Sequence, residues 1–144
     1  MGVFLMGVKN ASMLNNTFER YSYGAMIKQS QKVTVKNNRF RYNALGSLII
    51  EGCDKNNGRH TFLVTSDEVG KKEFKFTCGN IKSGTLKTVG YVYRFHKSKK
   101  NSLTLKKQLK SNQKIVFYGK DKYNNKYYRT YYVPKKTKKK KSKS

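Results

Sequence analysis

Among side chains able to do acid–base, nucleophilic or metal chemistry, this chain holds seven carboxylates, two histidines and two cysteines. Cleaving a glycosidic bond needs two carboxyl groups held close together, and a hard cation needs several oxygen ligands. Glu19 and Glu51 fall in different columns of the repeat described below, and Asp54 lies on a turn. Asp67 and Glu68 are adjacent on a loop, where like charges are simply solvated. His60 and His96 are far apart and flanked by basic residues that repel cations. Cys53 and Cys78 lack CxxC or HxxH spacing, so they read as a structural pair or as two buried thiols. Only geometry decides whether they bond. There is no Gly-rich phosphate loop and no Ser-His-Asp arrangement. The sequence therefore assigns no catalytic residue, no metal ligand and no cofactor.

What the chain has in abundance is positive charge. Lys and Arg total 33, for a formal net charge of +26. Residues 1–59 carry +6, residues 60–134 carry +13, and residues 135–144 add seven lysines without an acid. Those last ten residues hold nothing apolar to bury and are expected to be a solvated, disordered tail. A lysine run binds any polyanion by releasing its counterions. Just before it, Tyr123, Tyr127, Tyr128, Tyr131 and Tyr132 sit among Lys120, Lys122, Lys126 and Arg129. The candidate polyanion contacts are thus Lys120, Lys122, Lys126, Arg129, Lys135, Lys136, Lys138, Lys139, Lys140 and Lys141. Tyrosines among lysines on strands can stack single-stranded bases, as OB-folds do. Tyrosine is also a favoured strand former, and a basic surface facing an anionic wall has the same composition.

These groups must be carried by some framework. The 144 residues leave room for one domain or two small ones, and mean hydropathy is low, at −0.83. An aromatic content of 13% argues against a wholly unfolded chain. The longest apolar stretch, residues 1–8, is too short to span a bilayer and lacks the features of a signal peptide.

The first half repeats with a period of 22. Gly2, Gly24 and Gly46 fall in one column, followed by Val3, Ala25 and Ser47, then Phe4, Met26 and Leu48, then Leu5, Ile27 and Ile49. Further on, Met13 meets Val35, Asn15-Asn16 meets Asn37-Asn38, and Phe18 meets Phe40. A short β-type repeat of this length is one coil of a solenoid, stacking like on like about 4.8 Å apart. Ser12-Met13 and Thr34-Val35 alternate polar and apolar, the period of a half-buried strand. Asn tolerates the left-handed backbone of a corner and can bond to the next coil. Asn16 and Asn38 are therefore expected to form a structural ladder at equivalent corners. The column Phe4, Met26, Leu48 would point outward as an apolar stripe, expected to be covered by another part of the chain or by a neighbouring domain.

Residues 33–40 (Val-Thr-Val-Lys-Asn-Asn-Arg-Phe) and 46–49 (Gly-Ser-Leu-Ile), with the same pattern one coil earlier, resemble a known family. It is the right-handed parallel β-helix repeats of the pectin-lyase-like and copper-protein-maturation (NosD-like) type. The resemblance covers residues 1–53. Such repeats abound in adhesin-like surface proteins of methanogenic archaea, often joined to Ig-like domains, which implies a surface protein rather than an activity.

After Gly52 the repeat is lost, and residues 54–58 (Asp-Lys-Asn-Asn-Gly) form a turn signal. Strands are expected over 60–65, 73–77, 85–95, 114–118 and 126–133, with an Asn-Asn turn between the last two. That final hairpin looks like the closing hairpin of Ig-like domains in bacterial and archaeal surface proteins. The alternative is a β-meander that caps the solenoid, since an unpaired last coil offers its edge to other chains.

The expected architecture is all-β: a short right-handed parallel β-helix of 22-residue coils over 1–53, then an antiparallel β domain, Ig-like or a cap, over 54–134. The Lys-rich tail covers 135–144. The expected function is a non-enzymatic, adhesin-like protein of the cell surface, contacting an anionic glycan or cell-wall polymer. The alternative is a nucleic-acid-binding protein. Because the repeat opens in mid-coil with no polar segment before it, the chain is expected to be the C-terminal part of a longer exported protein. Its bare first coil should be prone to self-association.

Overall fold

The computed structural model describes residues 1–96 and 101–135; among these there are fifteen strands and no helix. The protein is all-β, with its strands in several sheets. No helix among these residues is long and apolar enough to cross a membrane.

Strands β1 (Val3–Met6), β2 (Ser12–Leu14) and β3 (Thr17–Glu19) are followed by three counterparts, β4 (Tyr23–Lys28), β5 (Thr34–Lys36) and β6 (Arg39–Arg41). Each strand lies parallel to its counterpart: Val3 faces Ala25, Ser12 faces Thr34 and Thr17 faces Arg39. Left-handed corners recur with the same spacing. Gly7 and Gln29, Asn10 and Lys32, Asn15 and Asn37, and Arg20 and Tyr42 all have φ between 48° and 64°. The first Asn of each pair takes the corner. The second Asn of the later pair, Asn38, turns inward and is fully buried, whereas Asn16 is exposed and meets Asn38 through its backbone N.

The next strand, β7 (Gly46–Glu51), departs from the expected columns by one residue. Ala25 faces Leu48 and Ile27 faces Ile50, so Gly46 lies opposite Tyr23 instead of Gly24. The extra residue is absorbed in the bend at Ala44-Leu45, whose amides donate to Tyr21 and Ser22, leaving Leu45 61% exposed. The slip puts Leu48 in the core with Ala25 and Ile27. The outward apolar column is then Phe4, Met26, Ile49. It is open only at its start, where Phe4 is 49% exposed against 1% for Ile49.

The second half begins with β8 (Gly58–His60), antiparallel to β7. It continues with β9 (Phe62–Ser66), β10 (Glu73–Cys78), β11 (Ser83–Thr88), β12 (Tyr91–His96), β13 (Asn101–Thr104), β14 (Lys114–Lys120) and β15 (Lys126–Tyr132). The run expected over 85–95 is a hairpin. Val89 and Gly90 have φ of 48° and 78°, the paired positive angles of a tight two-residue turn. Strand β13, which closes the sheet β13-β10-β9, lay outside the expected strands. That sheet meets β12 and β14 through Phe62, Phe76, Phe95 and Phe117, whose ring centroids lie 4.9 to 5.9 Å apart. Cys78 is buried and Cys53 half-exposed, and no disulfide joins them.

The two halves share a sheet. β15 runs antiparallel to β14 on one edge and parallel to β6 on the other, giving the order β12-β11-β14-β15-β6-β3. Tyr127 lies over Phe40, which lies over Phe18, with centroids 5.3 and 5.1 Å apart and rings within 17° of parallel. At the other end of the stack, β1, β2 and β3 are each the edge strand of their sheet.

Candidate anionic-polymer interface

The interface rests on a polar seam that locks β15 to the repeat. Asn38 Oδ1 accepts from Asn16 N at 3.0 Å, and its Nδ2 donates to Met13 O at 2.8 Å and to Asn125 Oδ1 at 2.9 Å. Asn125 repeats the pattern one level up: Oδ1 accepts from Asn38 N, and Nδ2 donates to Val35 O. Asn124, with φ of 61°, takes the left-handed corner as Asn37 does. Asn124-Asn125 thus stand to Asn37-Asn38 as a further level, with Lys126 beside Arg39 and Tyr127 beside Phe40.

Behind this seam lies a buried group of titratable side chains. Tyr127 Oη donates to Asp121 Oδ2 at 2.8 Å, and His60 Nδ1 lies 3.7 Å from the same oxygen. His60 Nε2 lies 3.0 Å from Asn56 O and 3.3 Å from Asn80 Nδ2. Burial pushes the Asp121 carboxyl up, but hydrogen bonds from His60, Asn125 and Tyr127 outweigh it and hold the group below its ordinary value. Burial, and then the Asp121 charge, push the Tyr127 hydroxyl well above its ordinary value. His60 and Asp121 are 3% and 7% exposed and Tyr127 is fully buried. A substrate has no access to them, and their role is to hold β8, β15 and the loop between β14 and β15 together. Among the described residues, no three His, Cys, Asp or Glu side chains gather as a metal site would need.

The outer face of the six-stranded sheet is different. Cross-strand partners share a face, and alternate residues along a strand return to it. One row reads Ser83, Lys120, Lys126, Arg39, Thr17. The next row on that face reads Arg94, Thr85, Tyr118, Tyr128, Arg41, Glu19. Beyond it lie Lys87 beside Val116, and Lys114 beside Tyr132. Among the described residues, seven cations share this face with a single carboxylate, Glu19, whose Oε1 is 3.6 Å from Arg41 Nε.

The aromatic groups here are packed against each other. Tyr118 and Tyr128 have centroids 4.9 Å apart, tilted by 46°, and Tyr42 lies 6.4 Å from Tyr128 at 52°. The Arg41 guanidinium sits over both Tyr42 and Tyr128, 5.5 and 5.4 Å from their centres. Burial is the main reason the Tyr118 hydroxyl is raised, with Tyr128 adding to it and Arg39 opposing it. A cleft of about 500 Å³ opens beside this group, lined by Arg20, Tyr42, Lys114, Val116, Thr130 and Tyr132 among others.

Of the candidate contacts, Lys120 and Lys126 are cross-strand neighbours on this face. Lys122 is exposed on the adjoining loop, with Nζ 5.0 Å from the Tyr123 ring centre, and Lys135 is exposed. Arg129 is the exception, because its guanidinium turns inward and donates to Phe62 O. It braces β15 against β9, and burial draws it below its ordinary value. Lys136, Lys138, Lys139, Lys140, Lys141 and the rest of the expected tail beyond Lys135 lie outside the described residues. Arg39, Arg41, Arg94, Lys87 and Lys114 belong to the face without having been singled out. The signal for Arg39 was present, since the string Asn-Asn-cation-aromatic occurs at both 37–40 and 124–127. No family model, curated protein or solved structure matches this chain.

Proposed function

We propose that this is a non-enzymatic binding protein that contacts an anionic glycan or cell-wall polymer through the outer face of the six-stranded sheet. The observation that carries the reading is the cationic face itself: Lys120, Lys126 and Arg39 in one row, with Arg94 and Arg41 in the next, against one carboxylate. The packing of Tyr118, Tyr128 and Tyr42 favours a glycan over a nucleic acid. These rings pack on one another and under Arg41, so none of the three offers bases an open platform.

The same proposal reads the parallel ladders as a short right-handed β-helix of the pectin-lyase-like type. The strands from β8 onward act as its cap, in the manner of adhesin-like surface proteins of methanogenic archaea. The 22-residue offset and the recurring left-handed corners support this reading. A cell-surface or extracellular setting belongs to the proposal, since an anionic wall polymer is met there. So does association through the first coil, supported by the exposed Phe4, Met6 and Leu14 on or beside unpaired strand edges.

The test is binding to polygalacturonate and to oligo-dT across a salt series. The wild-type chain is compared with Lys120→Ala/Lys126→Ala/Arg39→Ala and with a chain lacking residues 135–144. Affinity for polygalacturonate should fall steeply with salt, and both variants should flatten the slope. Failure of the wild-type chain to bind any polyanion would refute the reading. Oligo-dT binding with a base preference that survives high salt would replace it with the nucleic-acid alternative.

A further inference from the structure

We propose that the cleft beside Tyr132 is a subsite for a single carboxylate-bearing sugar unit of the bound polymer. This deepens the anionic-polymer reading and rests on it. The cleft, at about 500 Å³, lies within the roughly 300–1,000 Å³ of small-molecule sites. Its lining contains Arg20, Lys114 and Arg129 and no carboxylate. Arg129 is already committed to Phe62 O, which leaves Arg20 and Lys114 as the groups able to meet a charge.

Tyr132 supplies the other half of the recognition. It is 61% exposed and takes part in none of the ring pairs that occupy Tyr42, Tyr118 and Tyr128. Its cross-strand partner is Lys114, so an exposed ring and a cation stand side by side. The C–H face of a pyranose packs on such a ring, and a carboxylate on that sugar then reaches a cation at the ring's edge. A nucleotide is served less well. The lining amide that would read a base edge, Asn43, is only 4% exposed and already bonded: its Oδ1 accepts from Tyr21 N and its Nδ2 donates to Phe18 O.

The experiment titrates trigalacturonate, neutral trigalactose and a dT trinucleotide into the full chain and its Tyr132→Ala and Tyr132→Phe variants, each shown to melt as the wild type does. Trigalacturonate should bind the wild type and Tyr132→Phe alike. It should lose about tenfold in affinity to Tyr132→Ala, and trigalactose should bind far more weakly to all three. The salt slope for long polygalacturonate should be the same in all three proteins, because Tyr132 carries no charge. If long polymer binds but Tyr132→Ala holds trigalacturonate as tightly as the wild type, the subsite is wrong and the polymer reading stands. If the trinucleotide or the neutral sugar binds as well as trigalacturonate, the assigned ligand class is wrong. If no polyanion binds, the broader reading has failed.

Discussion

Replacing Asn38 by Val tests the joint between the repeat and β15. Valine is close in size, so the perturbation is chemical: three side-chain hydrogen bonds disappear, to Asn16 N, Met13 O and Asn125 Oδ1. A typical intramolecular hydrogen bond contributes a net ~0.5–1.5 kcal/mol, and a buried partner left unpaired costs ~1–3 kcal/mol. Asn125 Oδ1 keeps a second donor, Asn38 N, so it is not orphaned. The loss should therefore be about 3 kcal/mol, or roughly 10 °C in Tm for a chain of this size. Corner strain contributes nothing, because the left-handed residue is Asn37, with φ of 58°. Asn37→Gly is accordingly the control: it keeps the corner, loses only the exposed bond from Asn124 Nδ2 and should cost no more than about 1 kcal/mol. The assay is urea unfolding followed by tyrosine fluorescence and far-ultraviolet circular dichroism, for Asn38→Val, Asn125→Ala and the double variant. The two sites share a bond, so the cycle should show a coupling of ~0.5–3 kcal/mol. An Asn38→Val protein within about 0.5 kcal/mol of the wild type, or strictly additive losses, would refute the ladder as a source of stability.

Two predictions concern pH. Asp121 is held below its ordinary value in the folded protein, so its contribution is present above the unfolded value of about 3.9 and is lost as pH falls through the lower folded value. Asp121→Asn should be less stable than the wild type at pH 7 and converge on it in acid; parallel acid-unfolding curves for the two proteins would count against this. Burial and the hydrogen bond to Asp67 push the Tyr131 hydroxyl to about 12, so its stabilising effect is present below about 10 and is lost as pH rises towards 12. Absorbance at the tyrosinate band should show a group titrating near there that Tyr131→Phe removes, and a titration ending near pH 10 would disprove it.

The period of 22 was legible because it repeats residue types in columns, from Val3 over Ala25 to Phe18 over Phe40. The slip at Ala44-Leu45 was not, because Leu48, Ile49 and Ile50 are interchangeable as apolar residues and only packing decides which faces in. The hairpin at Val89-Gly90 was hidden by a β-branched residue in a left-handed conformation that such side chains rarely adopt. The cationic face was half visible. Lys120 and Lys126 lie near each other along the chain, but Arg39 and Arg41 come from a segment read as scaffold and join them only through the parallel pairing of β15 with β6. Arg129 looked like its neighbours, yet strand alternation turns it inward.

That pairing also sets a timetable. The edge of β6 is filled by residues 87 positions later, whereas the ladders within the repeat close over 22 or 23. By the logarithmic scaling of loop entropy, closing the longer loop costs only about 1.2 kcal/mol more. In time the difference is larger. During synthesis β6 stands with a raw edge while the chain between it and β15 is made, and it is sealed only when Tyr127 arrives over Phe40. The stack is thus built early and finished last, and its most exposed moment belongs to the ribosome rather than to the folded protein.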